Sequence, residues 1–415
     1  MESVKKIKIF KYELPLSKAI IIKNNKINYR RGLILNIQTS SCLSTFGEIS
    51  PLPNYSYESL QDVIKQVKDI KSFILNSKIK ELEFNSSQND NNQENIIKSF
   101  NLYLNKYFNY NNFNIDLYPS IKFGIEMALL NLLFLKNNDL ANDLVNKIKG
   151  KTNNIYLPIC KLFTDIKDNI NIENDVLEVI NEGYNTIKIK IGRNAFNDEI
   201  NYLKKIFTFV KENNLKIKIR LDANKLWKFK EALDFSNKIG IDNINEFVEF
   251  IEDPFDDLKL YEKFYNLTKI PIALDENLVK FINLYENKNH KDKEIRTDNL
   301  NYLKAFILKP SVIGGFSKCC EIIKIANENS LKVVLSSSFE SSLAIRSIIL
   351  FSFLMKLNKT SAGLDTLKFF KEDLLINKIK INNGKITLED ILKDVYDENI
   401  YDENINYNLL KVLEI

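Results

Sequence analysis

Five short β-type runs in the middle of the chain each end in a charged residue, and those charges could serve one reaction centre. The runs are Ile187-Lys188-Ile189-Lys190, Ile217-Lys218-Ile219-Arg220-Leu221-Asp222, Val248-Glu249-Phe250-Ile251-Glu252, Ile272-Ala273-Leu274-Asp275 and Phe306-Ile307-Leu308-Lys309. A single charge at a strand end is ordinarily just where a loop begins. Five of them, ordered Lys–Asp–Glu–Asp–Lys and each separated by roughly one βα repeat, point to a shared site. Asp222, Glu252 and Asp275 on three adjacent strands would converge as hard oxygen ligands, a set that suits Mg²⁺, with Mn²⁺ as a substitute. Without a cation, three close carboxylates would repel and their pKa values would rise. Lys188 and Lys190 are two apart on one strand and point to the same side. Mutual repulsion, a nearby cation and partial burial would bring one of the two toward neutrality, where an amine works as a general base. Lys309 would face the metal strands across the substrate.

Positioning such a set requires a closed parallel sheet. Apolar runs over Ile155–Cys160, Thr186–Ile191, Lys216–Leu221, Phe247–Ile251, Pro271–Leu274, Lys304–Leu308 and Leu331–Leu335 alternate with helix-periodic windows, and an eighth strand is expected near Ser361–Leu364. Repeated βα units of that number predict an α/β fold, a (β/α)₈-type barrel over residues 150–370. A doubly wound open sheet would show a glycine-rich turn after its first strand, and there is none. Residues 1–135 read as an α+β capping domain, with strands at Lys6–Tyr12 and Gly32–Gln38 and helices at Ser59–Leu75 and 119–135. The tract NSSQNDNNQEN (85–95) is too polar to pack and opens an expected Asn-rich insertion over about 85–115. Residues 371–415, including a strand pair at Lys378–Ile386, are expected to return to the cap.

Composition narrows the chemistry further. The chain has 415 residues with 59 Lys plus Arg against 54 Asp plus Glu, a net charge of +5. That surplus is too thin for a nucleic-acid surface, and no aromatic-basic platform or helix-turn-helix signature appears. The only histidine, His290, lies in a charged run, which excludes Ser-His-Asp and His-rich metal chemistry. The four cysteines (42, 160, 319, 320) form no CxxC pair, so a reducing compartment is expected. MESVKKIKIFKYELPL lacks the apolar core of a signal peptide, and no apolar stretch is long enough for a bilayer. The expectation is a cytoplasmic protein acting on a small molecule, with a plastid stroma as the alternative address and the oligomeric state left open.

The segments GEISPLPNYSYESL (47–60), PSIKFGIEMAL (119–129), KIKIGR (188–193), RLDANKLW (220–227), FIEDPF (250–255), ALDEN (273–277), ILKPSVIGG (307–315), SSSFESS (336–342) and GLDTL (363–367) together resemble the o-succinylbenzoate synthase family of the enolase superfamily. The resemblance implies that Asp222, Glu252 and Asp275 hold Mg²⁺, that Lys190 is the acid/base catalyst and that Lys309 is the opposing lysine. It implies a hydro-lyase of menaquinone or phylloquinone biosynthesis that dehydrates 2-succinyl-6-hydroxy-2,4-cyclohexadiene-1-carboxylate to 2-succinylbenzoate.

Contacts to the rest of such a substrate are expected from Lys188, Asn224, Ser337, Ser338 and the backbone at Gly314 and Gly315, a glycine pair in a chain with only 11 glycines. The Arg30–Gly32 region and the Gly47–Pro53 loop are expected near the pocket, closing the cap over the barrel mouth. Two rival readings share the same residues. Facing lysines also suit a racemase or epimerase of N-acylamino acids or dipeptides, and an inactive barrel could serve as a binding protein.

Overall fold

A computed structural model describes residues 2–22, 25–75, 78–79, 93–107, 116–136, 155–163, 172–286, 299–393 and 398–414. The N-terminal unit starts with a long antiparallel hairpin, β1 (Glu2–Ile22) against β2 (Asn25–Thr39), followed by β3 (Ser44–Ile49). The hairpin runs well beyond the expected Lys6–Tyr12 and Gly32–Gln38. Polar residues on its solvent face interrupt the apolar signal, while the ladder continues through a register shift between Pro15 and Ile20. The short strand β4 (Lys78–Ile79) pairs with the start of β1.

Helix α1 (Leu60–Leu75) buries Val63, Val67, Ile70 and Ile74 along one stripe. Helix α3 (Pro119–Lys136) is buried on nearly every side and lies directly on β3. A Cβ on Gly47 would come within 1.9 Å of the Gly124 carbonyl oxygen, so strand and helix backbones touch at a glycine pair. Helix α2 (Gln93–Tyr107) falls inside the span expected as an Asn-rich insertion, and residues 85–92 and 108–115 of that span lie outside the described residues. Its face packs all the same: Phe100 meets Phe351, and Tyr103 donates to the Leu129 carbonyl at 2.7 Å.

Seven strands form one parallel sheet in the order β12-β11-β10-β9-β8-β7-β6. These are β6 (Lys161–Phe163), β7 (Thr186–Lys190), β8 (Lys218–Asp222), β9 (Val248–Glu252), β10 (Ile272–Leu274), β11 (Leu303–Leu308) and β12 (Lys332–Leu335). Residues 361–364 fill the eighth position. The Gly363 amide donates to Leu335 and the Ala362 amide to Pro158, both at 2.8 Å, while the Cys160 amide donates to Ala362 at 2.9 Å. The sheet thereby closes into the (β/α)₈-type barrel, with Phe250, Ala273, Ala305, Ile307 and Val334 as a separate small core.

Two boundaries differ from expectation. The run 155–160 enters the barrel only at its end: β5 (Tyr156–Pro158) pairs antiparallel with β13 (Lys385–Thr387), and Ile159 and Cys160 then lie beside Ala362 and lead into β6. The segment around 378–386 therefore joins β5, and the return to the cap is made later, by β14 (Leu410–Val412) on β1.

Candidate active site

Strand register decides what meets at the mouth of the barrel. Lys190 is level with Asp222 on the next strand, and Asp222 with Glu252 on the one after. Lys188 and Lys190 alternate with buried Ile187 and Ile189 and therefore face inward. The second and sixth barrel positions, which carry Lys190 and lead into Lys309, are half a turn of the barrel apart.

A cavity of about 470 Å³ opens here. Lys188, Lys190, Asp222, Asn224, Lys309, Ser337 and Ser338 all line it, as do Ile21, Ile22, Leu52 and Tyr55 from the cap. Glu252 and Asp275 reach it through the lysines they pair with. Gly314 and Gly315 do not line it. Gly315 instead approaches a carboxylate of the protein: a Cβ on it would fall 2.4 Å from Glu126, which accepts from the Ser317 amide and hydroxyl. Ser337 Oγ is engaged with Thr366 Oγ1 at 2.7 Å, whereas Ser338 Oγ is buried with no hydrogen-bond partner among the described residues.

The electrostatics separate the two neighbouring lysines. Lys188 Nζ is 2.9 Å from Asp222 Oδ2 and 2.5 Å from Glu252 Oε2. Burial disfavours its charge, but those two carboxylates override burial and raise its pKa. Lys190 Nζ lies 3.7 Å from Asp222 and donates to the neutral Asn224 Oδ1 at 3.1 Å. Burial lowers it, Asp222 offsets this only in part, and Arg193, Lys188 and Lys309 add to the depression, leaving Lys190 at about 8. Lys309 donates to Asp275 Oδ2 at 2.6 Å and to the Tyr55 hydroxyl at 2.8 Å, with its amine 4.7 Å from the Tyr55 ring centre. Against the effect of burial, Asp275 raises it.

Among the described residues, no three His, Cys, Asp or Glu side chains stand together as a ready metal cluster. The acidic strand ends are adjacent, but each carboxylate is turned to an amine, as like charges must be when lysines stand beside them. The donor set nevertheless fits a hard divalent cation. Asp222, Glu252 and Asp275 are all buried, at 2%, 2% and 7% exposed, and no thiolate or imidazole competes at the three strand ends. Burial, reinforced by Asp222 and Asp275 against the pull of Lys188, raises the Glu252 carboxyl above its ordinary value.

Three lining residues were given no role by the sequence. Tyr55, inside the quoted GEISPLPNYSYESL segment, crosses from cap to barrel to reach Lys309. Arg193 donates to Asn224 Oδ1 at 2.8 Å, and Glu276 Oε1 accepts from Asn224 Nδ2 at 3.3 Å. Arg30, expected near the pocket, is buried and donates to the carbonyls of Phe339, Pro51 and Ser50 at 2.9, 3.0 and 2.8 Å, tying the cap loop to the barrel. Arg31 is exposed and pairs with Glu13.

Comparison with known proteins matches residues 171–391 to the model described as "Enolase C-terminal domain-like" and residues 4–88 to "MenC, N-terminal domain". The chain is 26% identical over 374 residues to the o-succinylbenzoate synthase of Aliivibrio salmonicida, covering 89% of this chain and 93% of that protein. Its fold is similar to that of the L-Ala-D/L-Glu epimerase from Bacillus subtilis, with TM-score 0.67, 20% identity and coverage of 93% and 96%. A member of the enolase superfamily from Roseovarius nubinhibens, solved in complex with magnesium, gives TM-score 0.65, 15% identity and coverage of 93% of each chain. The enolase-type match spans more than half of the sequence and contains all five charged strand ends, and the chain belongs to the enolase superfamily.

Proposed function

We propose that this chain is an o-succinylbenzoate synthase, converting 2-succinyl-6-hydroxy-2,4-cyclohexadiene-1-carboxylate to 2-succinylbenzoate and water. The observation that carries the reading is the pair of differently tuned lysines, Lys190 and Lys309, lining one cavity from opposite sides of the barrel. The likeness to synthases along nearly the whole chain supports the same reaction.

Asp222, Glu252 and Asp275 would hold Mg²⁺, or Mn²⁺ in its place. When bound, such an ion stabilises negative charge on the substrate carboxylate as the neighbouring proton leaves. Lys190 has a substantial neutral fraction near pH 8 and takes that proton from carbon. The electron pair of the broken C–H bond forms the new ring double bond, and the C–O bond to the hydroxyl breaks. The Lys190 ammonium returns its proton to the departing oxygen, so the products are the aromatic acid and water. Lys309 stays charged beside Asp275 and faces the ring, where an ammonium attracts both the developing negative charge and the aromatic face. Leu52 and Tyr55 roof the cavity and limit water.

The same two lysines would suit proton transfer on and off one carbon of an N-acylamino acid or dipeptide. One experiment separates the readings. The Mg²⁺-loaded protein is supplied with each substrate class, and Lys190→Ala is assayed beside it. Aromatic ultraviolet absorbance from the cyclohexadiene substrate, reduced at least about 10³-fold in the variant, is expected. Racemisation without any aromatic product would overturn the proposal.

A further inference from the structure

Asn224 occupies a strained position for a reason the fold makes visible. Its φ is 45° and that of Lys225 is 60°, both in the left-handed region, which asparagine tolerates better than most residues. The turn is locked there: the Lys225 amide donates to the Asp253 carbonyl at 2.8 Å, and the Asn224 amide to Asp222 Oδ1 at 3.1 Å. The side chain is thereby aimed at the Lys190 amine. Its Oδ1 accepts from two cations at once, Lys190 at 3.1 Å and Arg193 at 2.8 Å, while Nδ2 donates to Glu276. Two cationic donors on one oxygen and a carboxylate on the nitrogen leave only one orientation of the amide.

Arg193 is exposed, and an exposed arginine is ordinarily mobile. Here the loop that carries it is fixed. The buried Glu199 carboxylate accepts from the backbone amides of Gly192, Arg193 and Asn194 at 2.7, 2.9 and 2.9 Å. Those bonds gather the loop after β7 into a rigid turn and deliver the guanidinium to the cavity rim.

We propose that Arg193 is a positioning residue for Lys190, acting through Asn224: the guanidinium holds the amide that holds the catalytic amine. The proposal deepens the reading of the site as a lysine-dependent dehydratase and rests on that reading. Without Arg193, Asn224 Oδ1 loses its shorter bond, the amide keeps only its longer bonds to Lys190 and Glu276, and the Lys190 amine can swing from 3.7 Å into a close pair with Asp222. A displaced amine is poorly aligned for the carbon-bound proton.

The test combines kinetics with crystallography. Arg193→Ala is expected to lower kcat about tenfold with KM within about twofold, since small misplacements of a catalytic group cost rate and not binding. Arg193→Lys, which can still donate to Asn224, is expected to recover most of that loss. In an Asn224→Ala background, Arg193→Ala is expected to add nothing, because the route is already cut. In crystals of the Arg193→Ala protein, Asn224 should have left Lys190. The proposal is overturned if KM rises while kcat holds, if the two substitutions multiply, or if the Asn224–Lys190 bond survives in the crystal. A wild-type protein that makes no aromatic product would sink the dehydratase reading alone, and the crystal structure would still decide the role of Arg193.

Discussion

Glu249→Gln should destabilise the protein by about 2–3 kcal/mol at neutral pH, and the difference should disappear as the medium is acidified. Glu249 belongs to the floor of the barrel. Its Oε2 accepts from Arg220 Nε at 2.7 Å and its Oε1 from Lys332 Nζ at 2.6 Å, with the Glu249 and Arg220 side chains 7% and 3% exposed. Arg220 also donates to the Ser361 carbonyl at 2.7 Å and lies over the Phe250 ring, so the cluster pins the eighth barrel segment to the third and fourth strands. Burial alone would raise the Glu249 carboxyl, but Arg220 and Lys332 overcome burial and hold it at about 2, against an ordinary value of 4.5. That depression corresponds to about 3.4 kcal/mol as an upper figure, and glutamine keeps one acceptor oxygen. The group is depressed on folding, so its contribution is complete above pH 4.5 and is lost as pH falls from 4.5 toward 2. Urea unfolding can follow this through the single tryptophan, Trp227, which is buried against Phe235. Wild type and variant should differ at pH 7 and converge as the pH falls toward 2. A gap that stays constant across that window, or none at pH 7, would refute the reasoning.

Two further substitutions probe the contact between cap and barrel. Tyr55→Phe keeps the ring over Lys309 but removes the hydroxyl at 2.8 Å, and kcat/KM should fall at least about tenfold, the value of one hydrogen bond to a charged group. Unchanged steady-state kinetics would show that Asp275 alone fixes that lysine. Arg30→Lys cannot serve three carbonyls in three directions from one ammonium, so stability to denaturant should drop by about 2 kcal/mol. A midpoint and slope equal to wild type would contradict that account.

The barrel and its charged strand ends could be read from the sequence because short apolar runs recur once per βα repeat and each of five ends in a charge. The cap was less legible for the opposite reason. Exposed Lys5, Lys6, Lys8 and Lys11 alternate with buried residues along β1, so its apolar content is diluted and its length is underestimated. Helix α2 follows an asparagine-rich tract whose composition hides the buried stripe of Ile97, Phe100, Tyr103 and Leu104. Tyr55 and Arg30 meet their barrel partners across 254 and 309 residues, and no local spacing encodes such contacts. Gly315 did signal a close backbone approach, but to Glu126 and not to a ligand, whereas Gly314 has open space around it.

The lysine pair shows most plainly what geometry adds to pattern. Lys188 and Lys190 share a residue type, a strand and a face, and the sequence left open which of them moves toward neutrality. The difference arises from depth and partners. Lys188, lower in the barrel, lies within 3 Å of both Asp222 and Glu252, and two close negative charges outweigh the cost of burying its own. One pleat repeat further toward the mouth, Lys190 finds a single carboxylate at 3.7 Å, a neutral amide and the opposing charge of Arg193, so burial wins. A lysine of the first kind neutralises the floor of the site and cannot act as a base near neutral pH. One of the second kind can exchange a proton there. The proposed division of labour thus follows from where each amine stands among the strand ends.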